Sequence, residues 1–316
     1  MNHRNFKNSF STGIVLIVLF VWVFVSNQPN YLKSSVLQQE TTTEKKVIQI
    51  FRKCTKEGFE TSTTAFTYFE NFDNCIRLLP FVKFDFLRAS YFEEDKVFLP
   101  MKPDFDQEKC IWLTVGIGAD DKAEKKFKSE HPNCKFFGIE ASPDQYADYA
   151  NFGKVIPYGV GMEAGTLSLK LRENTKYVNK NVTVVPFIDL LDTYIGQRFI
   201  YYMTIDIEGV ELSILKELLP GGKLDEQGVA FCQIDAELHR FRTESQDYIK
   251  DFLNQFNAPD SNYLPIYHAM YLKKHHKVTF INIEKKECQK AFDLTIVFSK
   301  NLSSSVLIND FYSILV

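Results

Sequence analysis

The sequence has no excess of basic charge: 37 lysines and arginines stand against 40 aspartates and glutamates, a net charge of −3. That balance excludes the basic footprint on which nucleic-acid binding rests. It has no C-x-x-C pair and no Cys/His cluster, so the spacing of its 6 cysteines gives no sign of structural zinc. No internal repeat and no long low-complexity tract is present; 45% hydrophobic and 24% charged residues describe an ordinary globular chain. Nor does any apolar run reach the roughly 20 residues of an ordinary membrane-spanning helix.

The longest such run is Ile14–Val25 (IVLIVLFVWVFV), and it extends back to Phe10 through Ser11, Thr12 and Gly13. That is short for a span, though thin early-secretory membranes tolerate short spans. The next residues, Ser26-Asn27-Gln28-Pro29, lack an Ala-x-Ala-like cleavage site. Arg4 and Lys7 precede the run and the next base is Lys33. Positive-inside bias then leaves residues 1–13 in the cytosol and the rest in the lumen. The reading is an uncleaved signal anchor over 14–25, a single-pass type II protein of the endoplasmic reticulum or Golgi, with a cleaved signal peptide as the rival. Two sequons, Asn181-Val182-Thr183 and Asn301-Leu302-Ser303, lie on the luminal side. An even number of cysteines (Cys54, Cys75, Cys110, Cys134, Cys232, Cys288) suits that compartment, although about 15 pairings are open.

Residues 26–46 are polar and read as a stem. Residues 47–109 form an aromatic-rich extension expected to pack on the core, with Val47, Ile50, Phe51 and Cys54 at helical spacing. Asp104-Phe105-Asp106 matches a D-x-D string, but it lies between Pro103 and a charged stretch rather than at a strand end, so it is not assigned a metal. The basic run Lys273–Lys277 reads as a solvated loop or strand end.

From residue 110 strands and helices alternate: strands at Ile111–Val115, Lys135–Ile139, Lys154–Tyr158, Phe199–Ile205 and Gly228–Ile234, with helices at Asp121–Glu130, after a Ser142 capping box, at Asp189–Ile195, to Leu219, and at Ser245–Phe256. Thr166–Leu171 and Val182–Val185 read as a local β excursion. Val278–Ile283 and Leu294–Phe298 read as a closing antiparallel pair. The order predicts an α/β fold with a mainly parallel sheet and helices on both faces.

Gly116-Ile117-Gly118-Ala119-Asp120 comes directly after the first core strand and leads into a helix, so a ligand can approach the backbone closely there. Glu140 closes the next strand, where a carboxylate can accept hydrogen bonds from both ribose hydroxyls. The third glycine of a dinucleotide site is missing, and Asp120 and Asp121 stand beside the loop. Acidic neighbours repel a pyrophosphate but suit the cationic sulfonium and amino group of S-adenosylmethionine.

Those motifs carry a resemblance. VGIGAD (Val115–Asp120), FGIEASP (Phe137–Pro143), IDLL (Ile188–Leu191), TIDIEGVE (Thr204–Glu211) and DAELH (Asp235–His239) resemble the FkbM-type methyltransferase family, in its nematode-type luminal branch, over about Ile111 to Phe298. The resemblance implies a Rossmann-like class I fold over residues 110–316, a seven-stranded sheet with a final antiparallel strand. It also implies S-adenosylmethionine as cofactor and O-methylation of a hydroxyl on a glycan or small molecule. Many class I enzymes carry an acidic residue two positions before the first loop glycine; here that position is Thr114. Gly116, Gly118, Asp120 and Glu140 are the expected cofactor residues, Asp120 standing in for the missing acid.

Methyl transfer to a hydroxyl needs an in-line approach and a group that takes the proton. Asp206 and Glu208 end the fourth strand; Glu237 and His239 come after the fifth. Together they are the expected catalytic constellation, with His239, near neutral pKa, the natural base. The same set could hold a divalent metal, for which the sequence has no independent support. A luminal glycosyltransferase and a non-catalytic binding module are the competing readings.

Overall fold

The computed structural model describes residues 29–79, 87–91, 94–102, 104–105, 109–173, 176–239, 246–271 and 275–299. The signal-anchor run, Asp106, Lys273, Lys274 and the Asn301 sequon lie outside the described residues. Among the described residues no helix is long and apolar enough to cross a membrane.

In chain order the elements are α1 (Pro29–Thr61), α2 (Ala65–Arg77), β1 (Leu87–Tyr91), β2 (Glu94–Phe98), β3 (Ile111–Val115), α3 (Lys122–Glu130), β4 (Lys135–Ile139), β5 (Lys154–Ile156), β6 (Gly159–Gly161), β7 (Gly165–Glu173) and β8 (Lys176–Pro186). After them come α4 (Phe187–Leu190), β9 (Phe199–Ile205), α5 (Glu211–Lys216), α6 (Lys223–Glu226), β10 (Ala230–Leu238), α7 (Gln246–Phe256), β11 (Tyr263–Tyr271), β12 (His275–Asn282), α8 (Lys286–Ala291) and α9 (Leu294–Ser299).

Seven strands form the central sheet in the order β11-β12-β10-β9-β3-β4-β5. β5, β4, β3, β9 and β10 run parallel, and β12 lies antiparallel between β10 and β11. The strand order reverses between β3 and β9, the switch point at which open α/β sheets bind ligands. β3 and β10 are buried along their whole length, as strands covered on both faces must be. β6, β7 and β8 make a separate small sheet, with Asn181 exposed on β8.

Gln233 and Asp235 on β10 reach polar partners in the extension. Asp235 accepts from the Val97 amide at 2.8 Å, and Gln233 accepts from the Leu99 amide at 2.8 Å while donating back to the Leu99 carbonyl at 2.9 Å. Buried polar groups must be paired, so these side chains fix residues 97–99 across the sheet face. Phe98 then packs on Trp112 and Tyr202. α2 opens with a Thr64/Thr67 capping box and buries Tyr68, Phe69 and Phe72. The six cysteines close as Cys54–Cys75, Cys110–Cys134 and Cys232–Cys288.

The structure corrects several sequence expectations. Leu294–Phe298 is a helix, α9, not a strand: Leu294, Val297 and Phe298 are buried at helical spacing, and both flanks of β12 are already occupied. The sixth strand is instead β11, masked in the sequence by Pro265, which an edge strand tolerates and beside which the register shifts. After Ser142 only short 3₁₀ turns form, and its side chain makes no cap bond. His276 and Lys277 are not solvated: they sit buried in β12.

Candidate active site

The loop after β3 owes its shape to its glycines. Gly116 has φ +88, and a Cβ there would stand 1.9 Å from the Asp206 carbonyl oxygen. Only glycine fits, because the end of β9 passes against it: the Asp206 amide donates to the Val115 carbonyl at 2.9 Å. Gly118 has φ +67, and a Cβ there would meet nothing within 4 Å among the described residues. Its backbone therefore faces open space that a cofactor can fill.

Glu140, at the end of β4, curls back under this loop. Oε2 accepts from the Ile117 and Gly118 amides at 3.2 and 3.3 Å, and Oε1 from the Ser142 amide at 2.9 Å. Burial pushes its pKa up, against the pull of those amides. Asp120 accepts from the Lys122 amide at 3.0 Å and so caps the start of α3. Behind Thr114 stands a carboxylate from a neighbouring element. Glu124 of α3, fully buried, accepts from the Thr114 hydroxyl at 2.9 Å and pairs with Lys96 at 3.1 Å. No local pattern singles out Glu124, whose burial depends on where α3 packs.

Across the switch point the four expected catalytic residues do converge, around His239. Its Nε2 lies 2.9 Å from Glu237 Oε1 and 3.9 Å from Glu208 Oε2; its Nδ1 lies 3.9 Å from Asp206 Oδ1. The ring is held by a residue outside that expected set. Glu211 is fully buried, and its Oε1 meets His239 Nδ1 at 2.9 Å. The same carboxylate accepts from the Ile207 amide at 2.8 Å and from the Gly209 amide at 3.0 and 3.1 Å. Its place four residues after Ile207, at the start of a helix, is the one sequence signal for this role. Glu208 adopts φ +58 and projects outward with 60% of its side chain exposed.

Electrostatics follow from the crowding. Burial alone would depress His239, but hydrogen bonds to Glu211 and Glu237 outweigh it and push the pKa up to about 11. Burial would raise Glu237, yet the hydrogen bonds from His239 and His275 hold it below the usual carboxylate range. Asp206 is pushed well up by removal of water from its carboxyl and by the charge of Glu237, although 40% of its side chain is exposed at the mouth. The expectation of a near-neutral His239 base is therefore corrected: both ring nitrogens are engaged by buried carboxylates.

A parallel sheet with this strand order, β12 antiparallel within it, and a glycine loop at the switch point define the class I methyltransferase fold. The chain belongs to the FkbM methyltransferase family: residues 64–264 match the Methyltransferase FkbM domain. S-adenosylmethionine is the cofactor of that class, and the residues present fit it, with Gly118 opening onto free space and Glu140 beneath the loop. No curated protein matches the chain. Among solved structures it is similar to M. capricolum TrmK in complex with S-adenosyl-homocysteine, at 11% identity over 56% of this chain and 63% of that one, TM-score 0.32. It is similar also to the N-terminal domain of human METTL16, at 12% identity over 58% and 64%, TM-score 0.33. A third is the plantazolicin methyltransferase BpumL in complex with S-adenosyl-homocysteine, at 10% identity over 80% and 99%, TM-score 0.26. The chain spans less than two thirds of the TrmK and METTL16 chains.

Proposed function

We propose that the protein is an S-adenosylmethionine-dependent O-methyltransferase acting on a hydroxyl of a glycan or other secretory-pathway acceptor. One observation carries this reading: the Gly116–Gly118 loop, Glu140 and Asp206 meet at the β3/β9 switch point, so a cofactor held by the first two faces the third. When bound, S-adenosylmethionine supplies a methyl group on a sulfonium that an oxygen displaces in line. Glu140 would hold the ribose, and the loop backbone would admit the cofactor. Asp206, partly exposed at the mouth, takes the acceptor's proton while Glu211 and Glu237 fix the ring of His239 behind it. On transfer the acceptor would lose its hydroxyl proton to Asp206.

The test is a thermal-shift panel with S-adenosylmethionine, S-adenosylhomocysteine, NAD and UDP-sugars with Mn²⁺, since ligands that bind only the native state raise the midpoint. Stabilisation by the first two alone is expected. Stabilisation by a nucleotide sugar alone would make the protein a glycosyltransferase; no response to any would make it a binding module.

The reading extends to place: a membrane-anchored branch of the family, type II, with the enzyme domain in the lumen of the endoplasmic reticulum or Golgi. Its supports are the basic flank before Ile14, the pairing of all six cysteines and the exposed Asn181 sequon. The protein should resist carbonate extraction and shift in mobility with glycosidase; soluble secretion with a new terminus near Ser26 would overturn the anchor.

A further inference from the structure

We infer that Glu237, His239 and His275 form a site for one divalent transition-metal cation of the zinc or manganese class. The inference deepens the methyltransferase reading and rests on it for the cation's role.

The site is built by strand pairing. β10 and β12 run antiparallel in a register that pairs Glu237 with Lys277 and Leu238 with His276. One step further, His239 comes opposite His275, and their rings meet edge to face with centroids 4.7 Å apart. The two-residue period of a strand puts Glu237 and His239 on the same face. One ligand atom from each of Glu237, His239 and His275 lies within 4.8 Å of the others. His239 Nε2 stands 2.9 Å, and His275 Nδ1 3.4 Å, from the same Glu237 oxygen.

Two independent features distinguish this from an ordinary buried ion pair. The first is the other oxygen of Glu237. Among the described residues Oε2 is buried without a hydrogen-bond partner, on a residue only 3% exposed. A buried unpaired carboxylate oxygen is costly, and a cation beside Nε2 can engage it. The second is the far side of His239. Its Nδ1 faces Glu211 at 2.9 Å, and Glu211 is itself held by the Ile207 and Gly209 amides. Metal-bound imidazoles characteristically donate their second N–H to such a carboxylate, which fixes the tautomer and ring plane.

Two imidazoles and a carboxylate suit zinc, manganese or iron better than magnesium or calcium. At the end of β10, next to the end of β9, the cation would polarise the acceptor hydroxyl and ease its loss of a proton to Asp206.

The test uses the full chain in detergent, stripped with chelator and dialysed. Elemental analysis after equilibration with Zn²⁺ or Mn²⁺ should give one ion per chain, and Co²⁺ should give a visible-region spectrum of imidazole ligation. His275→Ala and Glu237→Gln should each weaken metal binding at least tenfold while S-adenosylhomocysteine affinity stays unchanged, which also reports that the variants fold; His275→Gln replaces any His275→Ala that does not. A wild-type chain that binds S-adenosylhomocysteine but no metal overturns the site and leaves the methyltransferase reading standing. Metal bound equally by wild type and variants overturns it too. Metal bound without S-adenosylhomocysteine overturns the methyltransferase reading instead.

Discussion

Glu211 Oε1 and His239 Nδ1 lie 2.9 Å apart, joining the first turn of α5 to the end of β10. This bond couples the strained Asp206–Gly209 turn to the fifth strand, since Glu211 also accepts the turn's amides. Glu211→Ala removes one acceptor from three donors and leaves the His239 charge half compensated. The expected loss is about 3–5 kcal/mol, the cost of breaking a buried pair, measured by urea unfolding. A loss near 1 kcal/mol would mean that Glu211 acts only as a helix-end carboxylate.

The two loop glycines should respond differently. Gly116→Ala places a methyl group against the Asp206 carbonyl and should prevent normal folding. At Gly118 an added Cβ meets nothing within 4 Å among the described residues, but the backbone stays left-handed in Gly118→Val. It should fold, about 1–2 kcal/mol less stable, and lose S-adenosylhomocysteine binding in calorimetry. Retained binding in the folded Gly118→Val protein would show that the cofactor does not pass over this loop.

Glu140→Ala should weaken cofactor binding by about 1–3 kcal/mol through lost charge-assisted hydrogen bonds. Ribose hydroxyls need the ionised carboxylate as acceptor. Because burial raises the Glu140 pKa, affinity should fall, as pH decreases, at a higher pH than for an exposed glutamate. Binding isotherms across the acid range check the sign. An affinity that is flat until ordinary carboxylates protonate would separate Glu140 from the ribose.

Asp206→Asn keeps the size of the side chain and removes its ability to take a proton. Turnover should fall by about 10²–10⁴-fold with cofactor affinity unchanged, because the proposed adenosine contacts lie at the ends of β3 and β4. Single-turnover kinetics with any accepted substrate read this directly. Near-normal turnover would leave Asp206 a structural end of β9.

Much of the fold and site is legible in the chain because it is local. Strands β3, β4 and β9 announce themselves as short apolar runs, and the glycine loop and Glu140 lie at fixed offsets from them. The carboxylates at the ends of β9 and β10 can be placed at one site because parallel strands end together. Local pattern misleads where tertiary context competes with propensity. Leu294–Phe298 has the residues of a strand but coils because β12 already has two neighbours, and Tyr263–Tyr271 is a strand in spite of Pro265.

The amino-acid order by itself determined the βα alternation, the cofactor loop and the acidic strand ends, since each depends on backbone conformation within a few residues. Only the tertiary structure decided which cysteines pair, that Glu124 would stand behind Thr114, that Glu211 would be buried, and that His275 would face His239. Those depend on packing and strand register between segments far apart in the chain, and no local period encodes a register.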